Sequence, residues 1–120
     1  MVHACAIDVL HNTTTAILFN NCLMRYTSYH ADYNYFISVV RWCGYAEKVH
    51  IYEIWKCVNN GRGSTLLKEY GEETHALSPR YVPYLMLDGS KEHQNQAAGN
   101  LVATVCHMLS PKPLACLIHR

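Results

Sequence analysis

Only one stretch of this chain reads as a buried strand, and a lone strand is a problem that the rest of the fold has to answer. The stretch is RYVPYLMLDG. Residues 81–87 are near-continuously apolar, as a strand covered on both faces would be, and Asp88 with Gly89 then makes a hairpin-type turn. The arm after the turn, residues 90–94, is short and polar, so only a brief edge strand is expected there. Pro83 has no backbone N–H to give to a ladder and therefore belongs at a strand's first residue, on an edge, or in a turn. A single apolar strand with one polar arm makes no sheet that is stable by itself. Either something is missing or the strand pairs elsewhere.

The first two-thirds of the chain supplies no partner strands, because its apolar residues recur at helical spacing. Ala4, Ile7 and Leu10, then Ala16, Phe19 and Leu23, fit a 3.6-residue period better than alternation. Asp32 is placed to cap a third helix from Tyr33 to about Trp42, with Tyr35, Phe36, Val39, Val40 and Cys43 as its inner stripe and Gly44 as its stop. Ile51, Ile54, Trp55 and Val58 mark a fourth helix over residues 49–58, ended by Asn59, Asn60 and Gly61. A fifth is expected over residues 64–76, capped by Ser64, with Leu66, Leu67 and Tyr70 inward. Ser78 and Pro79 then break it. A last amphipathic helix is expected over residues 97–109, with Leu101, Val102, Val105, Cys106 and Leu109 inward, until Pro111 and Pro113 stop it.

Half of the 120 residues are hydrophobic, enough for a core without metal or covalent staples. The formal net charge is +1 and no run of either sign occurs, so nothing electrostatic argues for nucleic acid or an anionic membrane as partner. Five of the nine tyrosines lie between Tyr26 and Tyr45, Tyr29 among them, yet few basic residues accompany them. A base-stacking surface is therefore disfavoured. The N-terminus lacks the basic region and cleavage signal of a secretory leader, and no run approaches the roughly 18 apolar residues of a spanning helix. Asn12, Thr13 and Thr14 form a glycosylation sequon, which matters only if the chain is secreted.

Six cysteines in so short a chain would, in an oxidising compartment, form up to three disulfides, with fifteen possible connectivities. A metal reading is also open on paper, since His3 stands near Cys5, His107 follows Cys106, and Cys116 precedes His119 by three. No C-x2-4-C knuckle exists, and neither a metal nor a cofactor is expected. No cysteine is flagged as a nucleophile. The NNGRGS loop after Cys57, with Arg62 in it, could hold an anion through its backbone, but it matches no phosphate fingerprint and reads better as a helix break.

Taken together, residues 4–116 resemble the gamma-interferon-inducible lysosomal thiol reductase (GILT) family in its insect-like form. Cys5 in ACAIDVL, Cys22 in NNCLMRY, and Cys43 and Cys57 around a variable stretch carry the resemblance. So do the VNNGRGSTLL run, the YVP segment with its DG turn, Cys106 in VATVCHML, and Cys116. The resemblance implies an α/β, thioredoxin-like fold with a helical insertion, present here as its C-terminal portion. Residues 1–76 would be the insertion and following helix, and residues 77–116 a cis-proline strand, a short hairpin and a C-terminal helix. It implies thiol-disulfide oxidoreductase chemistry on disulfide-containing proteins in a secreted, lysosomal or endosomal setting. Pro83 would be the cis-proline beside the active site, with Val82 offering backbone to an extended substrate. The family's reactive CxxC is absent from this chain. Cys5, Cys22, Cys43, Cys57, Cys106 and Cys116 then read as structural cysteines, no catalytic residue is assigned, and the chain is expected to be inert as written. The alternative is a redox-inert binding module that retains the groove at Val82 and Pro83.

Overall fold

A computed structural model describes residues 1–27 and 32–118. Tyr29 and His119, which entered the stacking and metal readings, lie outside the described residues. The described chain forms eight helices, α1 (Val2–Val9), α2 (Thr13–Tyr26), α3 (Tyr33–Ala46), α4 (Ile51–Asn59), α5 (Arg62–Leu77), α6 (Gln94–Gly99), α7 (Leu101–Met108) and α8 (Leu114–Ile118). They fall into two compact units, Met1–Ala76 and Leu77–Arg120.

In the first unit, α1 packs on α2 and α4, α2 on α3, and α3 on α4. The helical stripes read from the sequence close around Phe19, Leu23, Val40 and Ile54, all fully buried. Side-chain caps set two of the helix starts. Asn12 accepts from Thr15 N–H at 3.0 Å, and Asp32 accepts from Tyr35 N–H at 2.7 Å, each satisfying an N–H that has no partner within its helix. Two disulfides cross this core. Cys5–Cys57 joins α1 to α4, and Cys22–Cys43 joins α2 to α3.

Several expected boundaries move. Gly44 does not stop α3, which runs on to Ala46, because what Gly44 supplies is space: a Cβ there would lie 2.5 Å from Ile51 Cγ2. α5 begins at Arg62 rather than after Ser64, with Asn60 accepting from Arg62 N–H at 3.0 Å. On α5 only Gly63 and Leu66 are buried, while Leu67 and Tyr70 face water.

The second unit overturns the α/β expectation. No strand occurs among the described residues, and residues 81–87 are bends and coil with one isolated antiparallel bridge, Leu87 to Ser90. The DG turn itself forms. Asp88 and Gly89 both have positive φ, 53° and 73°, as a type I′ turn requires, and Leu87 and Ser90 exchange hydrogen bonds of 2.9 and 3.0 Å. The pairing stops there because the arms find no further partner, and an apolar run becomes a strand only when a neighbour takes up its backbone groups. The fold described here is all-helical, not thioredoxin-like. The expected helix over residues 97–109 is likewise two: Asn100, in an extended conformation, ends α6 and caps α7 by accepting from Ala103 N–H at 3.0 Å. Of its expected inner face, Leu101, Val102 and Leu109 are exposed, and Thr104 is the buried residue of α7.

Candidate functional site

The sequence singled out Val82 and Pro83, and both lie exposed on the irregular segment between α5 and α6. Val82 is 87% exposed, an unusual position for an isopropyl side chain, and the Val82–Pro83 peptide bond is cis. The segment is held from behind. Gln94, at the start of α6 and buried, accepts from Leu85 N–H through its Oε1 at 3.1 Å. Tyr81 and Tyr84 approach each other across the proline at a ring separation of 6.4 Å. The DG turn fixes the far end. An exposed stretch anchored at Leu85 and Leu87 can offer main-chain groups to an extended ligand, the mode of strand addition, without first being unpaired from a sheet.

All six cysteines are oxidised: Cys5–Cys57, Cys22–Cys43 and Cys106–Cys116, with no free thiol. The environments differ. The four cysteines of the first unit are buried, whereas Cys106 and Cys116 are half-buried at the α7–α8 corner, where Lys112 Nζ donates to Cys106 O at 3.1 Å. Fifteen pairings were open to sequence reasoning, and only packing selects among them. With their sulfurs engaged in each other, Cys5, Cys106 and Cys116 have no thiolate for a metal. His3, the neighbour of Cys5, donates from Nδ1 to Asn20 Oδ1 at 2.9 Å and so ties α1 to α2.

The NNGRGS loop is a helix break, with Gly61 at φ 89°. Arg62 is engaged rather than poised for an anion, since its Nε and Nη2 donate to the two oxygens of Asp8 at 3.1 and 2.7 Å. That fork, with Arg62's charge and a lesser contribution from His11, holds the Asp8 carboxyl below its ordinary range. Asn12 is exposed at the start of α2, with its Oδ1 occupied by the cap. None of the described helices is long and apolar enough to cross a membrane.

No family model matches the chain, and no solved structure matches it. Among curated proteins it is similar to GILT-like protein 1 of Drosophila melanogaster, with 30% identity over 135 aligned positions that cover 98% of this chain and 52% of the relative. The chain thus spans about half the length of the curated relative it matches. The likeness supports a distant relationship to the GILT family. The three disulfides agree with the oxidising surroundings that a secreted or lysosomal relative would meet.

Proposed function

We propose that this chain belongs to the GILT family as its docking half. The exposed backbone at Val82 and Pro83 receives an extended segment of a disulfide-containing protein, and the 120 residues do not reduce that disulfide themselves. The pairing of all six cysteines carries this reading. Reduction begins with a thiolate attacking one sulfur of the substrate, which expels the other as a thiolate and leaves a mixed disulfide; a second thiolate then resolves it. A chain without a free thiol and without a CxxC has neither the nucleophile nor the resolving group. What it retains is the positioning surface, and positioning is much of the catalysis in such exchanges. The setting would be secreted, lysosomal or endosomal, with Asn12 as the acceptor of an N-linked glycan.

The purified, fully oxidised chain is expected to leave insulin disulfides intact at the background rate of the thiol reductant. Turnover like that of a CxxC-bearing relative would overturn the reading. Docking is tested separately by titrating an extended peptide that contains one disulfide: Val82→Asp should weaken its binding, and unchanged affinity would remove residues 82–83 from the site. The alternative, a binding module with no part in redox chemistry, is favoured by the self-contained core of the first unit. The genomic sequence upstream of Met1 distinguishes the two, since an in-frame CxxC supports the thiol reductase and a continued lack of one supports the module.

A further inference from the structure

The corner between α3 and α4 carries a second site, unrelated to residues 82–83. α3 ends in a crossed pair of hydrogen bonds, Val49 N–H to Gly44 O at 2.7 Å and Lys48 N–H to Tyr45 O at 3.3 Å. This closure needs a left-handed residue just past the helix end, a position glycine normally takes. Here it is Lys48, with φ 55°. A side chain with a Cβ is disfavoured in that conformation, so Lys48 makes this corner less stable than glycine would.

Its placement lets Lys48 line an open cavity of about 600 Å³ together with Arg41, His50, Tyr45 and Tyr52. The floor is apolar, made by Val49 and Ile51, and Gly44 allows the two helices to meet this closely. Among the described residues, the ion pairs engage Lys56, Arg62 and Lys68; Arg41 and Lys48 join none of them. Glu47, next in sequence to Lys48, does not line the cavity. Tyr45 and Tyr52 are 86% and 72% exposed, so two ring faces stand in water beside three basic side chains.

We propose that the groove binds an acidic saccharide, with sulfate or carboxylate oxygens on Arg41, Lys48 and His50 and sugar rings against Tyr45 and Tyr52. A cavity of this volume suits a small oligosaccharide. Clustered basic side chains are what sulfated polysaccharides recognise, and ring faces beside them give a sugar's C–H surface an apolar partner. A peptide finds no sheet edge here for main-chain pairing, since the cavity is lined by the end of α3, the turn at residues 48–50 and the start of α4. A nucleic acid would draw on the same three basic side chains, and the oligonucleotide arm of the test distinguishes it.

The test titrates the full oxidised chain with a heparin-derived tetrasaccharide and follows binding by calorimetry, with thermal melts of each variant alongside. Lys48→Asn removes the charge with a residue that tolerates the same backbone, and should weaken binding about three- to fivefold with the melting midpoint held. Lys48→Gly should weaken binding equally while raising the midpoint, and Tyr45→Ala should weaken binding of the saccharide but not of inorganic sulfate. A desulfated tetrasaccharide should bind poorly. The proposal is overturned if the Lys48 and Arg41→Gln variants bind the tetrasaccharide as well as the parent does. It is also overturned if polyglutamate or a single-stranded oligonucleotide of equal charge binds as tightly.

Discussion

The two units have similar helical patterning, but only the first gathers its inner faces into a core of fully buried side chains. In Met1–Ala76 the stripes of four helices converge, and Phe19, Leu23, Val40 and Ile54 lose all contact with water. In Leu77–Arg120 the buried residues are Gln94, Ala97 and Thr104, while Val82, Leu101, Val102 and Leu114 remain exposed. A helical period states which residues share a face. Whether that face is buried depends on a second face of matching length, which α1–α4 provide for one another and α6–α8 do not. Both units expose large apolar side chains, Ile17, Met24 and Trp42 in the first among them, so the difference between the units lies in the buried core and not in the exposed surface.

The contrast can be broken most forcefully at its disulfides. Replacing Cys5 and Cys57 together by alanine opens a 52-residue separation and should lower the stability of the first unit by about 4 kcal/mol on chain-entropy grounds, read from denaturant midpoints. The Cys106–Cys116 pair, separated by only 10 residues and half-buried, should instead be reduced first when the reductant is raised, leaving the melt of the first unit in place. Mass spectrometry after partial reduction checks the order. Phe19→Ala comes next, at about 3 kcal/mol or more, because it empties the centre of the core. The matched change Leu101→Ala, on an exposed face, should stay within about 0.5 kcal/mol; a larger loss would show that α7 is buried in solution.

Smaller effects sharpen the account of the first unit. Gly44→Ala should cost about 1–3 kcal/mol, since the new methyl would press on Ile51 Cγ2 and on Val49 O at 3.2 Å. The smallest expected effect is electrostatic. The Asp8 carboxyl is held below its ordinary value of 3.8, chiefly by the hydrogen bond from Arg62, so it binds its proton less readily folded than unfolded. Its contribution is therefore present above the unfolded-state value and lost as pH falls through the lower folded-state value. The melting midpoint of the parent should fall more steeply below about pH 4 than that of Asp8→Asn, and the pair's exposure to solvent keeps the difference small.

The helices of the first unit were legible from local chemistry. Asp32 and its cap, the stripe of Val39, Val40 and Cys43, and the break at Asn60 and Gly61 depend on residues within one or two turns, and each stands where the pattern placed it. The candidate site was legible only in part. Val82 and Pro83 were visible as an anomaly in an apolar run, and the DG turn formed, but the strand expected around them did not. Strand formation is a non-local event that requires a partner, and no run of apolar residues encodes the partner's presence. The same reasoning explains α6 and α7. Asn100 could be read as a polar residue within one helix, whereas its side chain starts a new one.

The saccharide groove left a faint signal: a lysine where a helix end asks for glycine, flanked by Arg41, Tyr45, His50 and Tyr52. Only the packing of α3 against α4 brings these residues around a common space.

By itself, the sequence determined the helical periods of the first unit, the cap at Asp32, the turn at Asp88 and Gly89, the near-neutral charge and the likeness to GILT-like proteins, because each is written in residues close together or in a pattern of spacings. The tertiary structure decided the three cysteine pairings, the burial of one unit's stripes and exposure of the other's, and the absence of strands among the described residues. Those depend on which surfaces meet in space, and the energy of a meeting belongs to both surfaces at once.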